Sequence, residues 1–508
     1  MLIESRTKKA ARNIKYGLLY KTVTLLLPFI SRTLMLYLLG TTSLGISTLF
    51  SSILTFLSLA ELGFGSAVVY TMYKPIVEND VATIDALLNY YKRLYRIIGL
   101  IVFLVGLALT PFLQYLIKGE TPEGINLHYL FYMYLLNSVL SYFFAGYRQS
   151  LLTAYQRTDI RDKIAIAVTI SVRIGEILII FLTRNLYFYV VVTILGTLLT
   201  NVITAIITRK MFPEIECKGE VPKEIKEDIR KRLSGLFGTK LNAIVVHQAD
   251  TIVISAFLGL TLLTQYGNYY YILNVLSGFV MMIFSSLTAS IGNKIASDSI
   301  NEVYVLFKKI SFANGWIVSW VSICLLCLFH PFMIIWVKED LTLPILMSVL
   351  MTIYFYVYQI QRTLLTFKDA GGLWYEDRLR PYVSMIINLI SNILLVQVIG
   401  IYGIVVSTII AFFLSLPWVN HVVFTKMFRK QPKIHLLKMA GNAVITAVIA
   451  AGTFYICSFF PVSIPGIIGK IIVCIIFPNA LFIMLFRKTS EFNYILEMLK
   501  HMIRRESL

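Results

Sequence analysis

The sequence predicts an all-α polytopic membrane protein with about fourteen transmembrane helices, forming two six-helix lobes around a central cavity plus two C-terminal helices. Composition is the first reason. Hydrophobic residues make up 57% of the 508 residues and charged residues only 14%, with a mean hydropathy of +0.76. The second reason is that apolar runs of roughly 20 residues, the length that crosses a bilayer, repeat from one end of the chain to the other.

The apolar runs are separated by short segments that contain charged residues, glycine or proline. Two separations are weak: one is marked only by Arg184 and Asn185, and the other by Gly400 and Gly403. Because an apolar run does not by itself fix where a helix ends, each boundary is predicted only to within a few residues. The predicted spans are 16–39, 45–70, 95–117, 127–147, 164–183, 186–208, 236–258, 266–291, 307–330, 342–362, 382–399, 402–424, 439–460 and 464–486.

Basic residues concentrate in alternate gaps between these spans. The formal net charge is +19, and the gap from Arg209 to Leu233 is rich in Lys and Arg, whereas Thr41–Ser43 and Pro461–Pro465 contain neither. The positive-inside rule therefore predicts a multi-pass membrane protein with both termini in the cytoplasm. Nucleic acid is not an expected partner, because no basic patch alternates with stacking aromatic residues.

A weak internal repeat predicts the two lobes. Leu38-Leu39-Gly40 precedes Leu44-Gly45, and Phe257-Leu258-Gly259 precedes Tyr266-Gly267. Parallel repeats of this kind are typical of transporters with a substrate site between the lobes, although glycine-punctuated helices also resemble one another by chance. The predicted divisions are an N-terminal lobe over 1–208, a cytoplasmic linker over 209–235, a C-terminal lobe over 236–430, two extra helices over 431–486 and a cytoplasmic amphipathic tail over 487–508.

Five segments carry a resemblance to a known family: Leu39 to Leu54, Leu57 to Gly65, Tyr73 to Asp80, Gln248 to Ile252 and Phe257 to Gly259. They resemble the Wzx-type polysaccharide flippases of the multidrug/oligosaccharidyl-lipid/polysaccharide (MOP) exporter superfamily. The resemblance implies a V-shaped two-lobe fold and alternating access. It also implies a substrate of undecaprenyl-diphosphate-linked oligosaccharide, moved from the inner to the outer leaflet of the bacterial plasma membrane for capsule, O-antigen or exopolysaccharide assembly. The implied partners are this lipid-linked oligosaccharide, membrane lipids and the polysaccharide polymerase machinery.

Basic residues inside apolar spans are the candidate substrate site. A charge at the centre of a bilayer costs about 2.5–3.5 kcal/mol on insertion scales, so it requires a partner or a wet cavity. Arg32 and Arg173 suit a diphosphate, because a guanidinium donates two parallel hydrogen bonds to a phosphate. Lys240 is predicted to capture the same group near the cytoplasmic side. The alternative for Arg173 is structural, since Glu176 lies three residues further along the same helix face.

Acidic residues and a histidine inside spans are candidates for ion coupling or for structural roles. Glu61 and Asp250 suit coupling-ion ligands or proton carriers, and the predicted coupling ion is Na⁺ or H⁺, with no other cofactor. The structural alternatives are a salt bridge that fixes a helix pair for Glu61 and a backbone hydrogen bond for Asp250. Glu176 and His247 belong to the same set, and His247 also suits a packed polar residue.

Two other classes of protein are the rivals to the flippase. A cation-coupled multidrug antiporter fits the same helices, and a membrane-bound polymerase or glycosyltransferase is the alternative with enzymatic activity. Such an enzyme would need carboxylates or arginines on its outer loops, and the first predicted outer gap, Thr41–Ser43, has none. No phosphate-binding G-x-x-x-x-G-K-[ST] motif occurs, so the expectation is a transporter driven by a gradient, by the membrane potential or by substrate and product concentrations. Cys324 and Cys327 form a C-x-x-C inside an apolar run, and the expectation is small packed residues and no metal site.

Overall fold

The computed structural model describes residues 6–61, 63–119, 121–122, 124–494 and 496–497, and these residues form helices and connecting segments without a β-strand. The α-helices are α1 (Arg6–Leu39), α2 (Thr41–Leu57), α3 (Phe64–Glu78), α4 (Val81–Leu109), α5 (Leu127–Phe143), α6 (Gln149–Ala154), α7 (Thr158–Thr183), α8 (Leu186–Met211), α9 (Lys223–Leu258), α10 (Leu260–Ser297), α11 (Ile300–Val337), α12 (Ile345–Ile360), α13 (Arg362–Ala370), α14 (Arg380–Ile399), α15 (Ile401–Val422), α16 (Pro432–Ser458) and α17 (Ile464–Phe486). The all-α prediction is therefore confirmed.

Eleven helices of the described chain are long and apolar enough to cross a membrane, so the protein is a multi-pass membrane protein. The other three predicted spans fall on α2, α5 and α12, which have 17, 17 and 16 residues. Helices of this length lie just below the roughly 20 residues that a bilayer requires. The total of fourteen therefore stays a prediction.

Glycine and capping residues set the main helix boundaries. Gly63 has φ 84°, in the left-handed region, and breaks the predicted span 45–70 into α2 and α3. The weak boundary between α7 and α8 is real, because the Asn185 side chain accepts a hydrogen bond from the Tyr187 N–H at 2.8 Å. Asp80 caps α4 in the same way. Hydrogen bonds from the Thr83 side chain and backbone hold the pKa of Asp80 below its ordinary value.

The first of two compact units ends at Thr264. Its hydrophobic core includes Phe212, Ile215 and Cys217, which belong to the predicted linker 209–235. The linker is thus partly packed against α4, where Asn89 Nδ2 donates to the Gly219 carbonyl at 2.9 Å. Its later part is the start of α9, which continues without a break into the seventh predicted span.

Residues 41–45 of the first half of the sequence repeat contact residues 260–264 of the second half, all within this first unit. Thr264 Oγ1 donates to the Thr41 carbonyl at 2.6 Å. A Cβ added to Gly45 would lie 2.5 Å from the Leu260 carbonyl oxygen, so only glycine fits there. The boundary at Thr264 therefore groups α9 with α2, and the two-lobe division drawn from the sequence stays a prediction.

The second unit begins at Gln265 and is built around the long helix α11, which contacts α12, α16 and α17. Aromatic rings fill one end of its core, where Phe307 lies 5.1 Å from Phe367 and 5.0 Å from Phe428 between ring centroids. The first residues of the predicted tail 487–508 also pack against α11, since the Phe492 ring stacks on Trp316 with 5.6 Å between the ring centroids. Residue 495 and residues 498–508 of that tail lie outside the described residues.

Candidate functional site

An ion pair on α7 joins two of the candidate residues in the first unit. Arg173 Nη1 lies 2.6 Å from Glu176 Oε2. The Glu176 side chain is fully buried, whereas that of Arg173 is 27% exposed. Because the two residues are three apart, the helix places them on one face, as the structural alternative required. Glu176 Oε1 also accepts a hydrogen bond from Thr193 Oγ1 on α8 at 3.2 Å.

Helix α1 adds Ser31 and Arg32 beside this pair. Ser31 lies next to the Glu176 carboxylate. Arg32 and Arg173 both lie within electrostatic range of the Tyr189 hydroxyl on α8. Two guanidinium groups and one carboxylate leave one positive charge (2 − 1 = +1) among these side chains. We call Arg32, Arg173, Glu176 and Tyr189 the arginine cluster.

A line of hydrogen bonds continues from the arginine cluster along the contact between α5 and α8. Thr197 Oγ1 donates to Asn137 Oδ1 at 2.7 Å, and Asn201 Nδ2 donates to Ser141 Oγ at 3.2 Å. Thr193, Thr197 and Asn201 are four residues apart, so they share one face of α8. The line therefore runs from Glu176 along α8 as far as Asn201.

Glu61 lies in a 3₁₀ turn between α2 and α3 and contacts tyrosines rather than a cation. The Tyr142 hydroxyl on α5 donates to Glu61 Oε2 at 2.8 Å, and the Tyr95 hydroxyl on α4 donates to Oε1. Among the described residues, the contacts of Glu61 therefore include no salt bridge, which was the structural alternative. Both tyrosine hydroxyls donate to the carboxylate, so its two oxygens each have a hydrogen-bond donor.

The three candidates on α9 have different environments. Lys240 is exposed and His247 is half-buried. Asp250 is buried, at 2% exposure, on the helix that packs against α2 and α3. A buried carboxylate is consistent with an ion-binding or a structural role.

Sequence reasoning missed Arg148, which is buried at 5% exposure and lines a cavity of about 290 Å³ in the first unit. Arg148 directly follows the predicted span 127–147, so from the sequence it resembles the other basic residues in the cytoplasmic gaps. Only the packing of α4, α5 and α8 identifies it as buried.

The cysteines of the second unit also come together. The Sγ atoms of Cys327, Cys457 and Cys474 lie within 4.8 Å of one another, although they come from α11, α16 and α17. They belong to a hydrophobic cluster with Ile323 and other apolar side chains. Lys470 is buried at 6% exposure beside them.

The second unit contains a cavity of about 410 Å³ between α11, α16 and α17. Its lining is largely aromatic and includes Phe312, Trp316 and Phe482, with Lys308 and Lys438 among the polar residues. An apolar cavity with cationic groups fits an amphipathic molecule better than a free sugar.

Solved structures of exporters of the MOP superfamily share this fold. The inward-facing form of a multidrug resistance MATE family transporter matches with a TM-score of 0.64 and 14% identity, over 79% of this chain and 95% of that one. The inward closed form of the lipid II flippase MurJ matches with a TM-score of 0.64 and 15% identity, over 92% and 99%. The Vibrio cholerae MATE transporter VcmN matches in its bent form with a TM-score of 0.56 and 13% identity, over 84% and 99%. The protein therefore has the fold of a MOP-superfamily transporter.

The family follows from the sequence itself. Residues 10–289 match the model of the polysaccharide biosynthesis protein family, and the chain belongs to that family. No curated protein matches the chain. The resemblance to MOP-superfamily flippases that the N-terminal segments predicted is thereby confirmed.

Proposed function

We propose that this protein moves an undecaprenyl-diphosphate-linked oligosaccharide from the inner to the outer leaflet of a bacterial plasma membrane by alternating access. The arginine cluster is the observation that carries the proposal. It places two guanidinium groups and one carboxylate within the membrane-spanning helices of a polysaccharide biosynthesis family member. A diphosphate supplies the anionic charge that these guanidinium groups complement.

The ion pair suggests how binding and release alternate. In the described arrangement Glu176 satisfies Arg173 at 2.6 Å. A bound diphosphate competes with this carboxylate for the guanidinium, and the carboxylate takes the guanidinium back when the substrate leaves. Because the carboxylate prevents an uncompensated buried charge in the empty protein, the cycle has no state with an isolated Arg173. Arg32 then supplies a second cationic contact for the diphosphate.

The driving force is the second part of the proposal. Glu61, held by two tyrosines, and the buried Asp250 are the carboxylates that suit a coupling Na⁺ or H⁺. The proposed orientation has both termini in the cytoplasm, as the alternation of basic gaps favours.

A cation-coupled multidrug antiporter is the second candidate function. The similarity to MATE transporters and the carboxylates at Glu61 and Asp250 favour it. The two functions require opposite charge at the substrate site, because a cationic drug is repelled by Arg32 and Arg173 and an anionic lipid is attracted.

Reconstitution into liposomes tests both functions. Vesicles with a fluorescent polyprenyl-diphosphate saccharide in one leaflet should show protein-dependent movement of the label to the other leaflet. Vesicles loaded with a fluorescent cationic dye should show no protein-dependent efflux under a Na⁺ or H⁺ gradient. Dye efflux without lipid movement would replace the flippase by the antiporter, and neither movement would contradict both.

A further inference from the structure

The cavity around Arg148 is lined by four basic side chains and by no acidic one among the described residues. Lys92 and Arg96 come from α4, Arg209 from the end of α8, and Arg148 from the 3₁₀ turn that follows α5. Asn201, the last residue of the hydrogen-bond line from the arginine cluster, also lines it. The cavity therefore concentrates positive charge with no internal counter-charge.

Arg148 is the group that makes this cavity unlike an ordinary basic surface. Its side chain is buried, and Nη1 has no hydrogen-bond partner among the described residues. Nη2 lies 3.7 Å from the Sγ atom of Cys217, a weak acceptor. The ring centroid of Tyr147 lies 5.9 Å from Arg148 Cζ, and the Tyr147 hydroxyl lies within hydrogen-bonding reach of the guanidinium; this contact is neutral and supplies no counter-charge. A buried guanidinium left in this way carries a large desolvation cost unless an anion reaches it.

The local backbone explains why Arg148 stays buried. Gly146 begins the turn, and a Cβ at that position would lie 2.5 Å from the Ser141 carbonyl oxygen, so the chain can turn this tightly only at glycine. The turn directs residues 147 and 148 into the core cluster of the first unit, where Tyr147 is also buried. Arg148 is therefore fixed in place before any ligand arrives.

The rim of the cavity is apolar and faces outward. Phe143, Phe144 and Val202 line the cavity and are 44%, 48% and 46% exposed. Lys92, Arg96 and Arg209, which line the cavity, belong to the basic gaps and span ends that the positive-inside rule assigns to the cytoplasmic side. Basic groups at headgroup depth beside exposed apolar side chains are the arrangement expected for a lipid whose head is anionic.

We propose that the cavity lined by Lys92, Arg96, Arg148 and Arg209 binds the phosphate headgroup of an inner-leaflet lipid. The phosphate lies against the Arg148 guanidinium, and the lipid chains lie along Phe143, Phe144 and Val202. This site is separate from the arginine cluster and does not depend on the proposed function, because it requires only an anionic lipid. A glycerophospholipid and a polyprenyl diphosphate both carry the required chemistry.

Native mass spectrometry of the purified full-length protein tests the proposal. Delipidated protein is titrated with phosphatidylglycerol, phosphatidylcholine, undecaprenyl diphosphate or inorganic phosphate. R148Q and R209Q should each weaken phosphatidylglycerol binding by about tenfold or more, since a hydrogen bond to a charged group corresponds to at least one tenfold step. R93Q is the control, because Arg93 is exposed, lies 3.7 Å from Glu220 and does not line the cavity.

The arms distinguish the source of the phosphate. Preference for phosphatidylglycerol over phosphatidylcholine, lost in R148Q and R209Q, supports a glycerophospholipid, and displacement by undecaprenyl diphosphate assigns the site to the isoprenoid lipid instead. Equal lipid binding by wild type, R148Q and R209Q would overturn the proposal. Binding of inorganic phosphate with no lipid preference would overturn the lipid assignment. R209Q guards against misfolding of R148Q, since Arg209 is exposed at a helix end.

Discussion

Neutralising Glu176 alone should destabilise the protein, and neutralising its partner as well should restore stability. E176Q keeps the acceptor for Thr193 but leaves Arg173 without the carboxylate at 2.6 Å. Breaking a buried ion pair by removing one partner costs about 3–5 kcal/mol, and the 27% exposure of Arg173 places this case near the lower end, about 3 kcal/mol. In R173Q/E176Q both charges are gone, so the cost should fall below about 1 kcal/mol.

The assay is the free energy of unfolding in a denaturant titration of purified wild type, E176Q, R173Q and the double variant, with helix content measured by circular dichroism. Transport measured on the same samples then separates the two roles of Arg173. A stable double variant that no longer moves the lipid-linked saccharide assigns Arg173 to the substrate. If E176Q is as stable as wild type, or the double variant is as unstable as E176Q, the ion pair does not have the role described here.

Three further predictions concern ion coupling and helix packing. D250N should reduce transport more than D250E if a cation binds that carboxylate, and equal rates across pH and Na⁺ concentration would exclude Asp250 from coupling. E61Q should lower the ion dependence of transport. Y142F removes only one hydrogen-bond donor, 2.8 Å from Glu61 Oε2, and should leave the ion dependence largely intact. Identical ion dependence in E61Q and wild type would contradict a coupling role for Glu61. G403A should abolish stable insertion, because the added Cβ would lie 2.4 Å from the Leu395 backbone. G441A is the control and should be tolerated, since nothing lies within 4 Å of a Cβ at that position. Thermal unfolding of the two purified variants checks this, and equal stability would refute the packing argument.

Most helices could be predicted from the sequence because each apolar run is about as long as a helix that crosses the bilayer. It failed where a residue's conformation interrupts a run, as at Gly63, since a left-handed turn leaves no mark on hydropathy. It also placed residues 223–235 in a linker separate from the seventh span, although the structure joins them to that span in α9. Charge and polarity change along that helix, but the backbone hydrogen bonds do not.

For the candidate site, the sequence predicted contacts between residues on one helix but not contacts between different helices. The pairing of Arg173 with Glu176 follows from three residues of separation. The tyrosine partners of Glu61 come from α4 and α5, and the burial of Arg148 depends on three helices, so neither is encoded at a fixed sequence distance. The roles of Lys240 and His247 in transport stay predictions.

Transport by Arg32 variants tests the central claim most directly. Liposomes containing wild type, R32A, R32K or R184N should be compared for movement of a fluorescent polyprenyl-diphosphate saccharide, with protein insertion quantified in each. Arg184 is an exposed arginine in a left-handed cap at the end of α7, a conformation that asparagine tolerates, so R184N is the matched control. The account predicts loss of transport in R32A, partial rescue in R32K because lysine acts only as a point charge, and wild-type rates in R184N. Wild-type transport by correctly inserted R32A would contradict the account.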